Sequence, residues 1–416
     1  MSIQITGNCV IHKALIAFLL LIAISPINTQ GDDISNNTVA NIKSLHRGKS
    51  GIYVRLNRRM RKRDKVVELI KTNPLVDSVI ISVPWREVEP QPGVYSFDSL
   101  LNEVNQWGKS GKGVIINLLL YGQGVDDTQT PPWIYNQPGV RAIYFKGGGE
   151  AKGKRIRVPE VWDEGFIEKN LEPMIKAFAK TFNGNPYVWY IMPGLGHIGN
   201  LTAQPSEDGG RAFLEAGFTA EKWKNYCRHM MTVYRKNFTN IPLLIKAAGI
   251  FIKNPNRDNY RKEASELITE FGREGTAIIG FGLDADMNAM TQVYNKVSGV
   301  IPYARMEITR IGLGNDWPLW VPERRRGKEA TRNRDEQFLR KSLNNAFGGT
   351  DGIPEIPTTI YFAQEPEILA SNPNSKNYRP EVAEILKEAR DRLKKNDIAI
   401  FGSPPNAPHY KSSSAP

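Results

Sequence analysis

One glutamate stands out because it interrupts an apolar, strand-like run. Glu307 lies in the segment 303–308, where tyrosine, alanine, methionine and isoleucine surround it. A carboxylate in such a run is costly to bury unless it is paired or used. Either Glu307 forms a structural ion pair with Arg305 or Arg310, or it does chemistry at the end of a strand. We treat it as the first catalytic candidate.

The elements that would position this acid alternate between strands and helices. Continuous apolar runs predict eight strands, separated by segments with helical spacing of apolar residues. The predicted strands cover residues 52–56, 79–83, 114–120, 187–192, 243–248, 277–282, 304–308 and 358–363. This alternation predicts an α/β fold with a parallel sheet, and eight repeats favour a closed (β/α)8 TIM barrel in one elaborated domain. Active sites of such barrels lie at the carboxyl ends of the strands, where Glu307 falls.

The composition is consistent with one large domain, and the charge limits the kinds of partner that it could bind. The chain has 416 residues, 40% of them apolar, and a net charge of +12. The basic cluster at residues 55–65 is typical of a solvated helix face; a patch for anionic glycan, nucleic acid or membrane is the alternative. Two cysteines, Cys9 and Cys227, predict no internal disulfide in a processed chain. Five scattered histidines and the lack of a phosphate-binding loop predict neither a metal nor a cofactor.

Both ends of the chain are predicted to lie outside the barrel. An apolar run at residues 14–24 follows His12 and Lys13, so residues 1–30 are expected to be a secretory signal or, if uncleaved, an N-terminal anchor. Residues 31–49 are expected to be a linker, 50–398 the barrel and 399–416 a disordered tail. The expected location is secreted or extracytoplasmic, with membrane contact only if the leader is retained.

The most specific pattern covers residues 83–98. An apolar strand runs into Trp85-Arg86, then Glu89-Pro90, then Gly93-x-Tyr95-x-Phe97-Asp98. This pattern resembles the (β/α)8 glycoside hydrolases of the β-galactosidase and cellulase-like clan, over roughly residues 50–395. The resemblance implies an oligo- or polysaccharide substrate and a pair of catalytic carboxyl groups.

The resemblance gives Glu307 the role of nucleophile at the end of the seventh strand. A retaining glycosidase also needs an acid about 5–5.5 Å from the nucleophile, with a raised pKa. The clan places this acid after the fourth strand, where the present chain reads Gly194-x-Gly196-x-x-Gly199-Asn200. Asn200 thus stands in the place of the expected glutamate, and an amide cannot donate a proton as a carboxylic acid does. Glu207 is the tentative acid/base, with the alternatives Asp208, His197, Asp126 and Asp127 left open.

Aromatic rings near predicted loops are expected to contact a sugar, because the C–H faces of pyranoses pack on ring surfaces. The predicted substrate-binding residues are Trp85, Tyr121, Trp133, Trp317, His197 and Asn200, with packing at the barrel rim as the alternative for the large aromatics. Asn117, Asp284 and Asp286 are further positions that could line the pocket or serve structural hydrogen bonds.

Two functions follow. The first is a secreted glycoside hydrolase that acts on β-linked sugars by a retaining mechanism, without a nucleic-acid partner. The alternative is a hydrolase-derived barrel that binds glycans without turnover. Glu307 favours the enzyme, and Asn200 favours the binding protein.

Overall fold

A row of parallel strands forms the centre of the molecule. The computed structural model describes residues 41, 44–56, 58–122, 129–147, 153–163, 165–247, 249–254, 259–283, 303–307, 336–347, 358–363 and 365–402. The strands in these ranges are β1 (Gly51–Leu56), β2 (Val76–Pro84), β3 (Gly113–Leu119), β4 (Ala142–Lys146), β5 (Arg155–Pro159), β6 (Val188–Met192), β7 (Leu244–Ala247), β8 (Ala277–Leu283), β9 (Tyr303–Glu307) and β10 (Thr358–Ala363).

Eight of these strands close into a barrel. They are hydrogen-bonded in the order β6-β3-β2-β1-β10-β9-β8-β7, and each neighbouring pair is parallel. A parallel bridge between Ile191 and Leu243 joins the two ends of this row. The predicted (β/α)8 barrel is therefore confirmed, and all eight predicted strands are present within a few residues of their expected bounds.

Helices surround the barrel and bury one face each. They are α1 (Arg58–Arg61), α2 (Asp64–Thr72), α3 (Trp85–Val88), α4 (Asp98–Lys109), α5 (Glu172–Phe182), α6 (Glu207–Glu215), α7 (Ala220–Asn237), α8 (Arg261–Arg273), α9 (Glu336–Phe347), α10 (Glu365–Ser371) and α11 (Pro380–Phe401). In α4 the buried residues Leu100, Val104 and Trp107 recur at spacings of three and four, which places them on one side of the helix. Such stripes pack against the outer surface of the strands.

Alternate strand residues fill the barrel interior. One buried cluster contains Tyr53, Ile80, Ile115, Tyr190, Met192, Leu244, Ala277, Ile279, Ile360 and Phe362. Side chains two positions apart in a strand lie on the same face. Arg55, Ser82, Asn117 and Lys246 each lie two residues beyond a member of this cluster, so the apolar interior gives way to a polar layer at the carboxyl ends of the strands.

The chain segment before β1 covers the opposite end of the barrel. His46 is buried, with Nε2 2.9 Å from the carbonyl oxygen of Gly275 and Nδ1 3.4 Å from the hydroxyl of Tyr190. Its ring stacks on Phe401 at 6.2 Å between centroids. The last residues of the predicted linker therefore pack against the barrel, because His46 has both ring and hydrogen-bond partners there.

An antiparallel hairpin lies outside the barrel. Strands β4 and β5 pair from Ala142 opposite Pro159 to Lys146 opposite Arg155, an element that the sequence analysis did not predict. None of the helices in the described ranges is long and apolar enough to cross a membrane. The predicted leader at residues 1–30 lies outside these ranges.

Candidate functional site

Polar and basic residues meet at the carboxyl end of the barrel. We call six of them the mouth cluster: Arg55 on β1, Ser82 on β2, Asn117 on β3, Lys246 on β7, and His197 and Asn200 in the turn after β6. The backbone of Asn200 forms a parallel bridge with Lys246, which fixes the turn beside β7. This is the end of the barrel at which TIM-barrel enzymes carry their active sites.

Close packing explains the glycine pattern in the turn after β6. A Cβ atom on Gly196 would lie 2.3 Å from the carbonyl oxygen of Thr202. Gly199 has φ +77°, and its Cβ would lie 2.4 Å from Oδ1 of Asn117. Between them Ile198 adopts φ +47°, a conformation that costs energy for a β-branched residue. The surroundings therefore hold the backbone of this turn in one defined, strained conformation.

His197 is a neutral imidazole inside this turn. Its ring is buried, and Nδ1 has no hydrogen-bond partner among the described residues. Burial, reinforced by the positive charges of Lys246 and Arg55, lowers the pKa of His197 from 6.5 to about 3. At neutral pH the ring can accept or donate a hydrogen bond, but it holds no extra proton to give. His197 is therefore poorly suited to replace the missing acid.

Asn200 stabilises its own turn. Its side chain is buried, and Oδ1 accepts a hydrogen bond of 2.8 Å from the backbone N–H of Thr202. Its own backbone N–H donates to the carbonyl oxygen of His197 at 3.1 Å. The amide at the position expected for the acid thus has a local structural role, and its correspondence to the catalytic glutamate stays a prediction.

Two cations lie in the mouth cluster without a described counter-charge. Lys246 is fully buried, and its Nζ lies 3.3 Å from the carbonyl oxygen of Ile198. Burial, with a contribution from Arg55, lowers the pKa of Lys246 well below 10.5. Arg55 is partly exposed, and burial also lowers its pKa. In the described part of the chain neither side chain forms a salt bridge with a carboxylate.

Asn117 adds a second unsatisfied atom to the mouth cluster. Its Nδ2 donates to the hydroxyl of Ser82 at 3.0 Å, whereas the buried Oδ1 has no partner among the described residues. Buried polar atoms in folded proteins are nearly always hydrogen-bonded, so this oxygen is a candidate position for a hydrogen bond from a ligand or water.

The backbone of Glu307 reaches the same edge of the barrel. It is the last residue of β9 and pairs with Leu283 of β8. Its side chain lies outside the described part of the structure, as do Trp317, Asp126, Asp127, Asp284 and Asp286. Its role as nucleophile therefore stays a prediction.

The tentative acid/base Glu207 lies on the surface of α6. It occupies the first turn of the helix, is about half exposed, and pairs with Nζ of Lys253 at 3.1 Å. The neighbouring Asp208 pairs with Arg211 on the same helix. These ion pairs account for both carboxylates without any contact to the mouth cluster.

The Trp-x-x-x-Glu-Pro pattern forms a hydrogen-bonded unit. Trp85 is fully buried, and its Nε1 donates to Oε2 of Glu89 at 2.7 Å. The other carboxylate oxygen of Glu89 accepts from the backbone N–H of Gly93 at 2.9 Å. Burial raises the pKa of Glu89 against the opposing effect of these two hydrogen bonds. Trp85 thus has a packing role and offers no ring face to a sugar.

Of the other predicted sugar contacts, Trp133 is accessible and Tyr121 is buried. The Tyr121 hydroxyl donates to the carbonyl oxygen of Ala203 at 3.0 Å. Trp133 is half-buried, packs edge-on against Trp85 at 5.9 Å, and donates through Nε1 to the carbonyl oxygen of Glu89 at 3.2 Å. It lines a cavity of about 410 Å³ together with Tyr95, which gives this side of the molecule an aromatic surface.

The described residues offer no site for metal or thiol chemistry. Within these ranges no three His, Cys, Asp or Glu side chains are placed to hold a metal ion. Cys227 is buried in α7, and burial raises the pKa of its thiol well above 9.0. A buried thiol with a raised pKa is unreactive.

Solved glycosidase structures have the same architecture. The catalytic domain of β-amylase from Paenibacillus polymyxa matches 83% of this chain and 98% of its own, with a TM-score of 0.54 and 12% identity. The β-galactosidase from Bacillus circulans sp. alkalophilus matches 85% of this chain, which spans 58% of that enzyme, with a TM-score of 0.50 and 9% identity. The chain has the barrel fold of these glycosidases. The sequence matches no protein-family description and no curated protein.

The resemblance stated from the sequence is thus confirmed for the fold. At 9–12% identity the roles of individual residues do not follow from it. The sequence analysis missed Arg55 and Lys246 as site residues. Each interrupts an apolar strand near its carboxyl end, the same signal that drew attention to Asn117.

Proposed function

We propose that the protein binds β-linked sugars at the mouth of its barrel and hydrolyses them by a retaining mechanism, with Glu307 as the nucleophile. The observation that carries this proposal is the position of Glu307, which ends β9 at the edge of the barrel formed by the mouth cluster. An acid at the carboxyl end of a barrel strand is placed where barrel enzymes do their chemistry.

In this mechanism the carboxylate of Glu307 attacks the anomeric carbon, and the bond to the leaving oxygen breaks. A proton donor then neutralises the leaving oxygen, and water later releases the sugar from Glu307. Neither neutral His197 nor the amide of Asn200 suits the donor role. The proton must come from Glu207, from another loop acid, or from solvent when the leaving group is good.

The composition of the mouth cluster favours a second candidate function, glycan binding without turnover. Its six members supply amide, hydroxyl, imidazole and cationic groups, and no carboxyl group. Asn200 is held in its turn by the hydrogen bond from Thr202. Such a barrel would keep the hydrogen bonds that orient a sugar and lack the acid that a slow leaving group requires.

Hydrolysis of activated aryl β-glycosides by the wild type, Glu307→Gln and Glu207→Gln separates these functions. An activated leaving group needs little acid assistance, so a nucleophile acts even without its acid partner. We expect the Glu307→Gln variant to lose turnover by about 10³-fold or more, as when a catalytic group is removed. Glu207→Gln, an equally conservative change, would lose turnover only if Glu207 is the acid. Binding of glycosides without turnover by the wild type would favour the second function.

We also propose that the protein is secreted, on the basis of the apolar run at residues 14–24. Expression in a secreting host, followed by N-terminal sequencing, tests this. A new terminus near residue 30 in the culture medium is the expected result. An intact first residue in the membrane fraction would show that the leader is an anchor.

A further inference from the structure

Positive charge is concentrated in the mouth cluster. Arg55 and Lys246 lie in the same polar layer, and both charges act on His197 to lower its pKa. Arg55 acts on Lys246 in the same way. The geometry agrees for Lys246, because its Nζ lies 3.3 Å from the carbonyl oxygen of Ile198, the residue after His197, and its backbone bridges to Asn200.

A buried carboxylate at the opposite end of the barrel is paired with cations, in contrast to Arg55 and Lys246. At the opposite end of the barrel the buried carboxylate of Asp77 accepts two hydrogen bonds from Arg390, at 2.9 and 2.7 Å, and lies 3.2 Å from Nζ of Lys394. Burying cations without an anion is unfavourable, and among the described residues no carboxylate pairs with Arg55 or Lys246, so the mouth cluster can accept a negative charge.

The mouth cluster also contains two buried uncharged atoms without a described hydrogen-bond partner. His197 Nδ1 can donate a hydrogen bond in one tautomer, and Asn117 Oδ1 can accept one. A ligand that satisfies the whole cluster therefore carries an oxyanion for the cations and hydroxyl groups for Asn117. An acidic sugar combines both.

We infer that the mouth cluster selects an anionic sugar, whose carboxylate or sulfate is bound by Arg55 and Lys246. This inference deepens the proposed function and rests on it, since the ligand is taken to be a sugar. Arg55 is partly exposed and can meet the ligand first, and its planar guanidinium suits a two-oxygen anion. Lys246 is fully buried in the same polar layer, where a bound anion would favour its charged form. The oxyanion is the shared chemistry of uronic acids and sulfated sugars.

Glu307 is the competing partner for these cations, because it ends β9 at the same edge of the barrel. If the carboxylate of Glu307 paired with Arg55 and Lys246, the wild type would bind anionic and neutral sugars with similar affinity. Removing that carboxylate would then create an anion site. This alternative makes an opposite prediction for the Glu307→Gln variant.

The test uses ligands that resist hydrolysis. Calorimetry would compare phenyl thio-β-glucuronide, phenyl thio-β-glucoside and the same glucoside with a sulfate on its exocyclic oxygen. We expect at least one anionic ligand to bind the wild type about tenfold or more tightly than the neutral glucoside, the effect of one charge-assisted hydrogen bond. The relative affinities of the uronide and the sulfated glucoside distinguish the two sources of the anion.

Three variants assign this preference to the mouth cluster. Arg55→Gln removes one cation, and Asn117→Asp adds a carboxylate of nearly the same shape that can still pair with Ser82. Both should reduce the ratio of anionic to neutral affinity to less than about twofold. Lys262→Gln, a charge removed from an 83% exposed side chain on α8, is the control and should keep the full preference. Thermal unfolding checks that each variant is folded.

The outcomes separate this inference from the proposed function. An anionic preference without turnover of any aryl glycoside would support the inference and sink the hydrolase. Turnover of neutral glycosides with equal affinities for all three ligands would do the reverse. Anion binding that is found only in Glu307→Gln would assign the cations to the chain's own carboxylate and overturn the inference. A preference that survives Arg55→Gln and Asn117→Asp would also overturn it.

Discussion

Two buried histidines at opposite ends of the barrel have the same perturbation and different surroundings. Burial lowers the pKa of His46 to about 4 and that of His197 to about 3. His46 has a hydrogen-bond partner for each ring nitrogen and stacks on Phe401. His197 has an unpartnered Nδ1 and lies beside two cations.

This difference shows that a shifted pKa does not by itself distinguish a structural residue from a functional one. The two histidines differ instead in the hydrogen bonds that their ring nitrogens form. A buried group whose partners are all supplied by the fold adds to stability. A buried group without a partner lowers stability and gains from a ligand. His46 therefore fits a stabilising role, whereas His197 Nδ1 and Asn117 Oδ1 at the mouth are open to a ligand.

The largest expected effect is on stability at acid pH. Both histidines have folded pKa values below 6.5, so the stability that they contribute is present above pH 6.5 and is lost as the pH falls toward 4. Each should cost about 3 kcal/mol of unfolding free energy at pH 4. Asp397, whose pKa is raised to about 6 by burial, works in the opposite direction between pH 6 and 3.8. Urea unfolding from pH 7.5 to 4 measures the sum.

The His197→Gln variant isolates the contribution of the mouth. It should remove about 3 kcal/mol of the loss at pH 4, and His46→Gln should remove a similar amount. An unchanged pH profile in either variant would mean that the corresponding ring is already protonated or exposed in the native protein.

A smaller effect on stability is expected when a carboxylate is removed from the end of the barrel opposite the mouth cluster. Asp77→Ala leaves Arg390 and Lys394 without their buried partner and removes the acceptor for the backbone N–H of Ile52. We expect a loss of about 3 kcal/mol at pH 7.5, by denaturant unfolding. Glycoside affinity of the folded variant should stay the same. A change in affinity would show that the two ends are energetically coupled.

The histidine pair itself gives the most direct comparison at pH 7.5. His46→Gln loses its ring contacts and should cost about 2 kcal/mol, whereas His197→Gln should cost less than about 0.5 kcal/mol. The same His197→Gln variant should bind the anionic thioglycoside more weakly. Equal stability losses at the two sites would contradict the assignment of separate roles.

The smallest effect concerns the glycine that packs on Asn117. Gly199→Ala should cost about 1 kcal/mol more than Gly139→Ala. Both glycines have positive φ, at +77° and +84°, so the backbone penalty is shared. An added Cβ meets nothing within 4 Å at Gly139 but meets Asn117 at Gly199. Chemical denaturation measures the difference, and similar values for the two variants would show that Asn117 moves aside freely.

The barrel was predictable because several of its strands are continuous apolar runs that are buried on both faces. Runs such as 79–83 and 114–120 have this property, and helical segments separate them. The β4–β5 hairpin was missed because its strands are five residues each and carry exposed side chains, such as that of Tyr144, on one face. Short two-stranded elements give a weak signal in a single sequence.

The candidate site was only partly predictable. Asn117, His197 and Asn200 were found from their positions near strand ends, and the structure places them together. Arg55 was interpreted as part of a basic surface cluster, because it is followed closely in the sequence by several other arginines and lysines. Its place in the barrel layer depends on the pairing of β1 with β2 and β10, which a local pattern does not contain.

The closure of the barrel gives the turn after β6 a further consequence. Between β6 and β7 the ladder reduces to the bridge of Ile191 with Leu243, and the turn continues the contact, with the backbone N–H of Leu201 donating to the carbonyl oxygen of Lys246. The turn that contains His197 and Asn200 is thus also part of the contact that closes the barrel between β6 and β7. Backbone amide protons at this closure are expected to exchange with solvent faster than those between β2 and β3, because β2 and β3 pair over seven residues. A ligand that contacts the turn would stabilise this closure. Ligand binding at the mouth should therefore slow hydrogen exchange of the backbone amides between β6 and β7.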